Sequence, residues 1–289
     1  MADQLTSVEE MHSEFVADAA EDIRIQPGGY LLELSLDWLV LRASQNVHQL
    51  LDRSHVTLVG EPLGESVHAQ ALHDLRNLFS RLSGTTGIAR AYRVRLTDET
   101  ELHDIAFQVS DGRVILEAVP SPGTSFGEAF GTVGGLIAGL ANSRGQALLD
   151  GGARRMRALT GYDRVTLEWK DKRAESSRGS FAAPCNFSLD CPAIFTDSAN
   201  EAVAIFPRQP AETSVHAALM RSPDGEALDQ LRGQGIRAGI RIPFGSNGEA
   251  GEFRCDCRTP REPNLEVHAA AELFAQFFAL RLDVDGLKA

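Results

Sequence analysis

An Asp-Gly pair between two apolar, β-branched runs constrains this chain more than any other feature. Residues 104–109 and 112–119 carry Ile105, Phe107, Val109, Val114, Ile115, Leu116 and Val119 on either side of Ser110-Asp111-Gly112. Asp-Gly suits a two-residue turn in which both central residues take positive φ, and such turns match the twist of an antiparallel pair. The two runs therefore read as a hairpin. Residues 30–34 and 38–43 flank a turn-like Ser35-Leu36-Asp37, and residues 236–244 and 251–258 flank Gly245-Ser246-Asn247-Gly248. A further strand is expected at 164–169.

Helical spacing alternates with these strands. Residues 46–51 suit a short helix. Residues 68–82 place Leu72, Leu75, Leu78, Phe79 and Leu82 on one face. A helix is expected over 125–159, stopped by Gly161, with another at 227–231. Residues 265–282 carry Leu265, Ala269, Leu273, Phe277 and Leu280. Residues 170–210 read as irregular. The first 22 residues read as an arm with one short helix. Pro120, Pro122 and Gly123 punctuate a boundary. The expectation is an α+β chain: an arm at 1–22 and domains at 23–122 and 123–289, each an antiparallel sheet with flanking helices.

Charge narrows the function. A net charge of −12 argues against nucleic acid or an anionic membrane as partner. The start is polar and acidic, unlike a signal peptide. No apolar run approaches the roughly 18 residues of a membrane span. A cytoplasmic setting is expected, where thiols stay reduced. Walker, G-x-G-x-x-G, G-x-S-x-G and H-E-x-x-H motifs are absent. Asp163 and Glu168 face differently on one strand, so they make no catalytic pair, and no enzyme is expected.

Several segments resemble the PAS and GAF domains of bacterial phytochromes. Ile25-Gln26-Pro27-Gly28-Gly29-Tyr30-Leu31-Leu32 is similar to the entry of the phytochrome PAS domain, with Gly28 where a His is usual. Ala43-Ser44-Gln45-Asn46-Val47 and Val114-Ile115-Leu116-Glu117 are further matches. In the second half, Leu159-Thr160-Gly161-Tyr162-Asp163-Arg164-Val165, Gly235-Ile236-Arg237-Ala238 and Glu272-Leu273-Phe274-Ala275-Gln276 fit GAF elements. The resemblance implies a PAS domain followed by a GAF domain, with the arm threaded through a GAF loop. It also implies a parallel homodimer through the C-terminal helix and a signalling partner or output domain.

The departures concern the chromophore. The resemblance implies a bilin attached through a Cys in the arm or the GAF domain. The arm position falls near Glu14, and the His position beside the ring falls on Ala227. The Asp-Ile-Pro stretch is matched by Asp190-Cys191-Pro192, and a Cys-His-His triplet by Cys255-Asp256-Cys257. Covalent bilin binding is therefore not expected.

The same departures supply every cysteine: Cys185, Cys191, Cys255 and Cys257. Strand alternation puts Cys255 and Cys257 on one face, about 6–7 Å apart at Cα, and turns Asp256 away. That separation suits two ligands of one metal centre better than a disulfide. The resemblance places Cys191 and Cys257 toward one pocket, so a four-thiolate site is expected where the bilin would sit. Zinc knuckles use shorter spacings, whereas iron–sulfur clusters tolerate varied ones. The leading reading is a [4Fe–4S] cluster, making the chain a redox, oxygen, NO or light sensor. Zinc, unmetallated thiols or a disulfide, a non-covalent bilin or haem, and a cofactor-free interaction module remain as alternatives. Arg178, Arg254 and Arg258 read first as solvated surface, and His216 as a surface or capping residue.

Overall fold

The computed structural model describes residues 23–82, 87–123, 127–208, 214–246 and 248–286. The expected arm, its helix and its threading lie outside these residues, as does Glu14. Two antiparallel sheets organise the chain, one of seven strands and one of five.

The first sheet has the order β1-β10-β3-β2-β6-β5-β4, in which β10 (Val203–Phe206) comes from the second half of the chain. Its first-half strands are β1 (Arg24–Ile25), β2 (Tyr30–Leu34), β3 (Val40–Ser44), β4 (Ala89–Val94), β5 (His103–Ser110) and β6 (Arg113–Pro120). The β5–β6 turn is the expected one: Asp111 and Gly112 take φ of 48° and 70°, and Ser110 pairs with Arg113. One face packs against α1 (His48–Leu51), α2 (His55–Leu58) and α3 (Ala69–Ser80). Leu32, Leu34, Val114 and Leu116 project into that core with Leu51, Leu58 and Leu75. Their neighbours Leu31 and Ile115 point the other way, toward Ile205, Val215 and Ala218 of the second half. Period-two alternation thus buries both faces. Strand β4 escaped the sequence reading because an edge strand with two arginines lacks an apolar pattern.

The second sheet has the order β8-β7-β12-β11-β9. It is built from β7 (Arg164–Trp169), β8 (Lys172–Ser177), β9 (Ile194–Phe195), β11 (Ala238–Ser246) and β12 (Glu249–Cys257). Helices α4 (Glu128–Ala138), α5 (Gly145–Thr160) and α7 (Leu265–Gly286) cover one face, and α6 (Gly225–Gly233) lies near the other. Phe253 meets Phe274 and Phe278 of α7 with ring centroids 6.1 and 5.2 Å apart. A Cβ on Gly152 would stand 2.4 Å from the Phe278 ring, so α5 approaches α7 only through a glycine there.

Three sequence expectations need correction. The continuous helix over 125–159 is two helices, α4 and α5, broken across Gly139–Arg144. There Gly145 takes a φ of 50°, and the Arg155 guanidinium holds the Gly139 carbonyl at 2.6 Å. Gly161, at a φ of 68°, ends α5 as expected. The "irregular" 170–210 contains β8, β9 and β10 (Val203–Phe206). β8 was hidden because, as an edge strand, it buries only Ala174. The last hairpin is tighter than expected, with Gly245 and Ser246 inside β11.

Strand β10 belongs to the second half of the chain but pairs with β1 and β3 of the first sheet. The segment after it docks on the same sheet through buried polar bonds. Both Glu117 carboxylate oxygens accept main-chain N–H bonds, from Leu219 and Met220, at 2.7 Å. Glu33 accepts from Ser214 at 3.1 Å and faces Arg42, and Gln108 donates to the Ala217 carbonyl.

Glu117 is fully buried, and burial pushes its carboxyl up to about 7, against the lowering effect of the two N–H bonds and of Arg90. A folded-state value above the unfolded one stabilises the protein at low pH, and that stabilisation is lost as pH rises through 7. Acting alone, the shift is worth up to about 3 kcal/mol between pH 4.5 and 7.5. Denaturant unfolding across this range is expected to show falling stability with rising pH, and Glu117→Gln to flatten most of that slope.

Candidate functional site

The second sheet has two chemically opposite faces, set by alternation along β7, β11 and β12. Val165, Leu167, Ile240, Ile242 and Phe253 face the helices and lie in one apolar core. Arg164, Thr166, Arg241, Glu252, Arg254 and Asp256 alternate with them and form the other face.

A loop spanning residues 178–192 covers this charged face, and arginines hold it. Arg164 donates to the Ala183 carbonyl at 2.6 Å and Arg173 to that of Cys185 at 3.0 Å. Arg254 donates to the carbonyls of Asn186 and Leu189, and Arg241 to that of Cys191. Guanidinium groups also stack on the loop's aromatic rings: Arg164 lies 4.3 Å from the Phe181 centroid, and Arg254 5.2 Å from that of Phe187. Carboxylates orient the arginines from below. Asp256 Oδ2 accepts two bonds from Arg164, at 2.8 and 2.6 Å, with both side chains 1% exposed. Glu252 accepts a fork from Arg241 at 2.6 and 3.1 Å. Arg254 is thus buried, not solvated as the sequence reading had it. Arg258 is exposed and stacks on Phe181, while Arg178 offers it a carbonyl at 2.9 Å.

The four cysteines are all buried and free, but they do not converge. Cys255 and Cys257 share a face, as alternation requires, and it is the helix face. Cys255 lies with Thr160 of α5, Val165 and Ile240, and the Cys257 thiol donates to Asp163 Oδ2 at 3.4 Å. Cys191 packs on the opposite side with Leu189, Phe195, Ala227, Leu231 and Ile236. Cys185 sits in the clamped loop beside Arg254, Arg164 and Arg173. The sheet separates the two pairs. Among the described residues no group of three or more His, Cys, Asp or Glu side chains is placed to hold a metal ion.

The thiol chemistry agrees with that geometry. Burial pushes Cys185 up to about 12 and Cys191 up to about 11, with the nearby arginines offsetting only part of it. Burial also raises Cys255 well above an ordinary thiol, with Asp256 adding to the effect. A cluster or zinc site needs thiolates converging on one centre. Neither fits this donor set.

Other predicted positions also resolve. Ala227 is buried in apolar packing at the expected His position. Asp190 points to solvent and accepts a fork from Arg221, with both contacts at 2.9 Å. His216 is exposed. Arg164, Arg173 and Arg241, central to the clamp, were not singled out from the sequence. Arg164 and Arg241 had a signal, since charged residues alternate with apolar ones along the central strands β7 and β11, whereas Arg173 on the edge strand β8 had none.

Comparison with known proteins places this architecture. Residues 21–120 match a family described as the PAS fold. No curated protein matches the chain. The chromophore-binding domain of an unusual bacteriophytochrome from R. palustris superposes with a TM-score of 0.75 at 22% identity, covering 94% of this chain and 98% of that one. The wild-type chromophore-binding domain of a Stigmatella aurantiaca phytochrome gives 0.70 at 24% identity, covering 94% and 99%. A longer structure of the same R. palustris bacteriophytochrome gives 0.76 at 22%, with 93% of this chain aligned to 60% of that one. The chain has the phytochrome-like PAS–GAF fold.

The ion pair under the clamp carries a clear expectation. Asp256→Ala leaves Arg164 buried without its carboxylate, which is expected to cost about 3–5 kcal/mol in chemical unfolding.

Proposed function

We propose that the chain is a phytochrome-like PAS–GAF sensory module of the cytoplasm, acting in signal transduction as a non-enzymatic, dimerising interaction module. In this reading its own loop occupies the charged GAF face in place of a large prosthetic group. The observation that carries it is the clamp: four arginines hold main-chain carbonyls between Ala183 and Cys191. A flat ligand on that face would have to displace this loop and take over its arginine bonds. The open cavity beside the loop, bordered by Arg164, Glu175 and Ala183, measures about 340 Å³, at the small end of ligand pockets.

Signalling in this reading runs through α7. One stripe of α7 packs into the core, while Phe277, Leu280 and Val284 stand 46%, 59% and 43% exposed. Their spacing of three and four residues is the a/d pattern of a helical pair. The partner chemistry that fits is a second copy of this helix, with an output domain or signalling protein beyond it.

A second reading, a non-covalent chromophore, rests on the fold likeness to chromophore-binding domains and requires the clamp to open. Protein prepared without oxygen is expected to carry no stoichiometric iron or zinc, and biliverdin or haemin to leave its spectrum unchanged on mixing. A saturable spectral shift would favour the chromophore. Broad absorbance near 400 nm with bound iron would restore the cluster reading. Leu280→Glu is expected to convert a dimer to a folded monomer in sedimentation velocity, and an unchanged dimer would remove α7 as the interface.

A further inference from the structure

A separate cavity of about 220 Å³ lies on the helix face of the second sheet, at the foot of α7. Its apolar walls are Ile194, Ile240 and Val267. A cavity of roughly 150 Å³ accepts benzene, so this one has room for a single substituted ring.

One buried polar atom of the residues lining this space makes no full hydrogen bond. His268 is 2% exposed and lines the cavity, and its Nε2 makes no hydrogen bond among the described residues. The other ring nitrogen fixes what Nε2 must be. Arg90 Nη2 lies 3.1 Å from His268 Nδ1, and a guanidinium can only donate. Nδ1 therefore accepts, and the proton of the neutral ring sits on Nε2. Burial keeps the ring neutral, depressing His268 to about 3; Arg90 adds to this, and a long contact with the Arg241 main chain, outside hydrogen-bond geometry, offsets only part. The cavity lining thus contains an N–H donor whose hydrogen bonding is incomplete.

The mouth has the opposite requirement. Arg261 stands there, donating from Nη2 to the Gly161 carbonyl and lying 4.8 Å from the Tyr162 ring centroid, with its other N–H groups beside the N-terminus of the 22-residue helix α7. That helix end favours a negative group. Asn264 caps only the Val267 N–H, and Glu262, also at the rim, is exposed.

We propose that this cavity binds a small aromatic acid, with its carboxylate at Arg261 and the α7 terminus and a hydroxyl or carbonyl oxygen accepting from His268. The ring would lie between Ile240 and Val267. His268 also joins α7 to the first sheet through Arg90, which pairs with Glu272 at 2.7 Å. Occupancy would therefore act where the two halves meet the exposed helix. This site lies across the sheet from the arginine clamp, so its failure would leave the reading of the clamp untouched.

The test uses the full chain with 4-hydroxybenzoate, benzoate and phenol as probes in calorimetric titration. Saturable binding of 4-hydroxybenzoate is expected, with benzoate and phenol each weaker by roughly five- to tenfold, the usual effect of losing one such contact. Val267→Phe, which fills the cavity from a partly buried position, is expected to abolish binding while leaving the unfolding transition cooperative. The proposal is overturned if 4-hydroxybenzoate does not bind up to millimolar concentration, or if Val267→Phe binds it like the parent chain.

Discussion

The buried Arg164–Asp256 pair is the contact on which the second half of the structure turns. Removing two charges from water is costly, and the cost is offset in part by two short bonds to one carboxylate oxygen, a third to the Ala183 carbonyl and stacking on Phe181, while Asp256 Oδ1 has no partner among the described residues and burial raises its carboxyl. Once the pair is buried, the loop over it has a fixed place. Arg173, Arg254 and Arg241 extend the same arrangement along the sheet. The loop then decides what the face can offer. Its arginines are engaged by main chain, and Cys185 and Cys191 are buried within or beside it.

Much of the fold is legible in the sequence alone. Asp111-Gly112 announced its hairpin because only a few residue pairs tolerate two positive φ angles in succession. Gly161 marked a helix end for a related reason. The elements that escaped were those whose pattern is erased by position. β4 and β8 are sheet edges with charged outer faces. β9 and β10 are too short to show alternation. The α4–α5 break depends on an Arg155–Gly139 contact that no local pattern encodes.

The site was legible in its parts but not in its assembly. Alternation correctly paired Cys255 with Cys257 and turned Asp256 away. It could not say which side of the sheet the loop would choose. The resemblance placed Cys191 and Cys257 toward one pocket, from which a four-thiolate site was expected, whereas the loop lies on the face of Asp256 and Arg254. A single residue of phase therefore separates a plausible four-thiolate centre from two thiol pairs divided by a sheet. The charge pattern was the better guide, since buried arginines must find acceptors and a loop is rich in free carbonyls.

Strand β10 has a consequence for how the chain can be divided. It leaves the second half, enters the first sheet and lies between β1 and β3. Each half therefore completes its hydrogen bonding with main chain supplied by the other. A protease cut or gene split at the Pro120–Gly123 boundary would give two fragments, one with an unpaired sheet edge and the other with an unpaired strand. The halves are joined less like beads on a string than like a woven splice, and a shift in either one is imposed on the other through shared backbone.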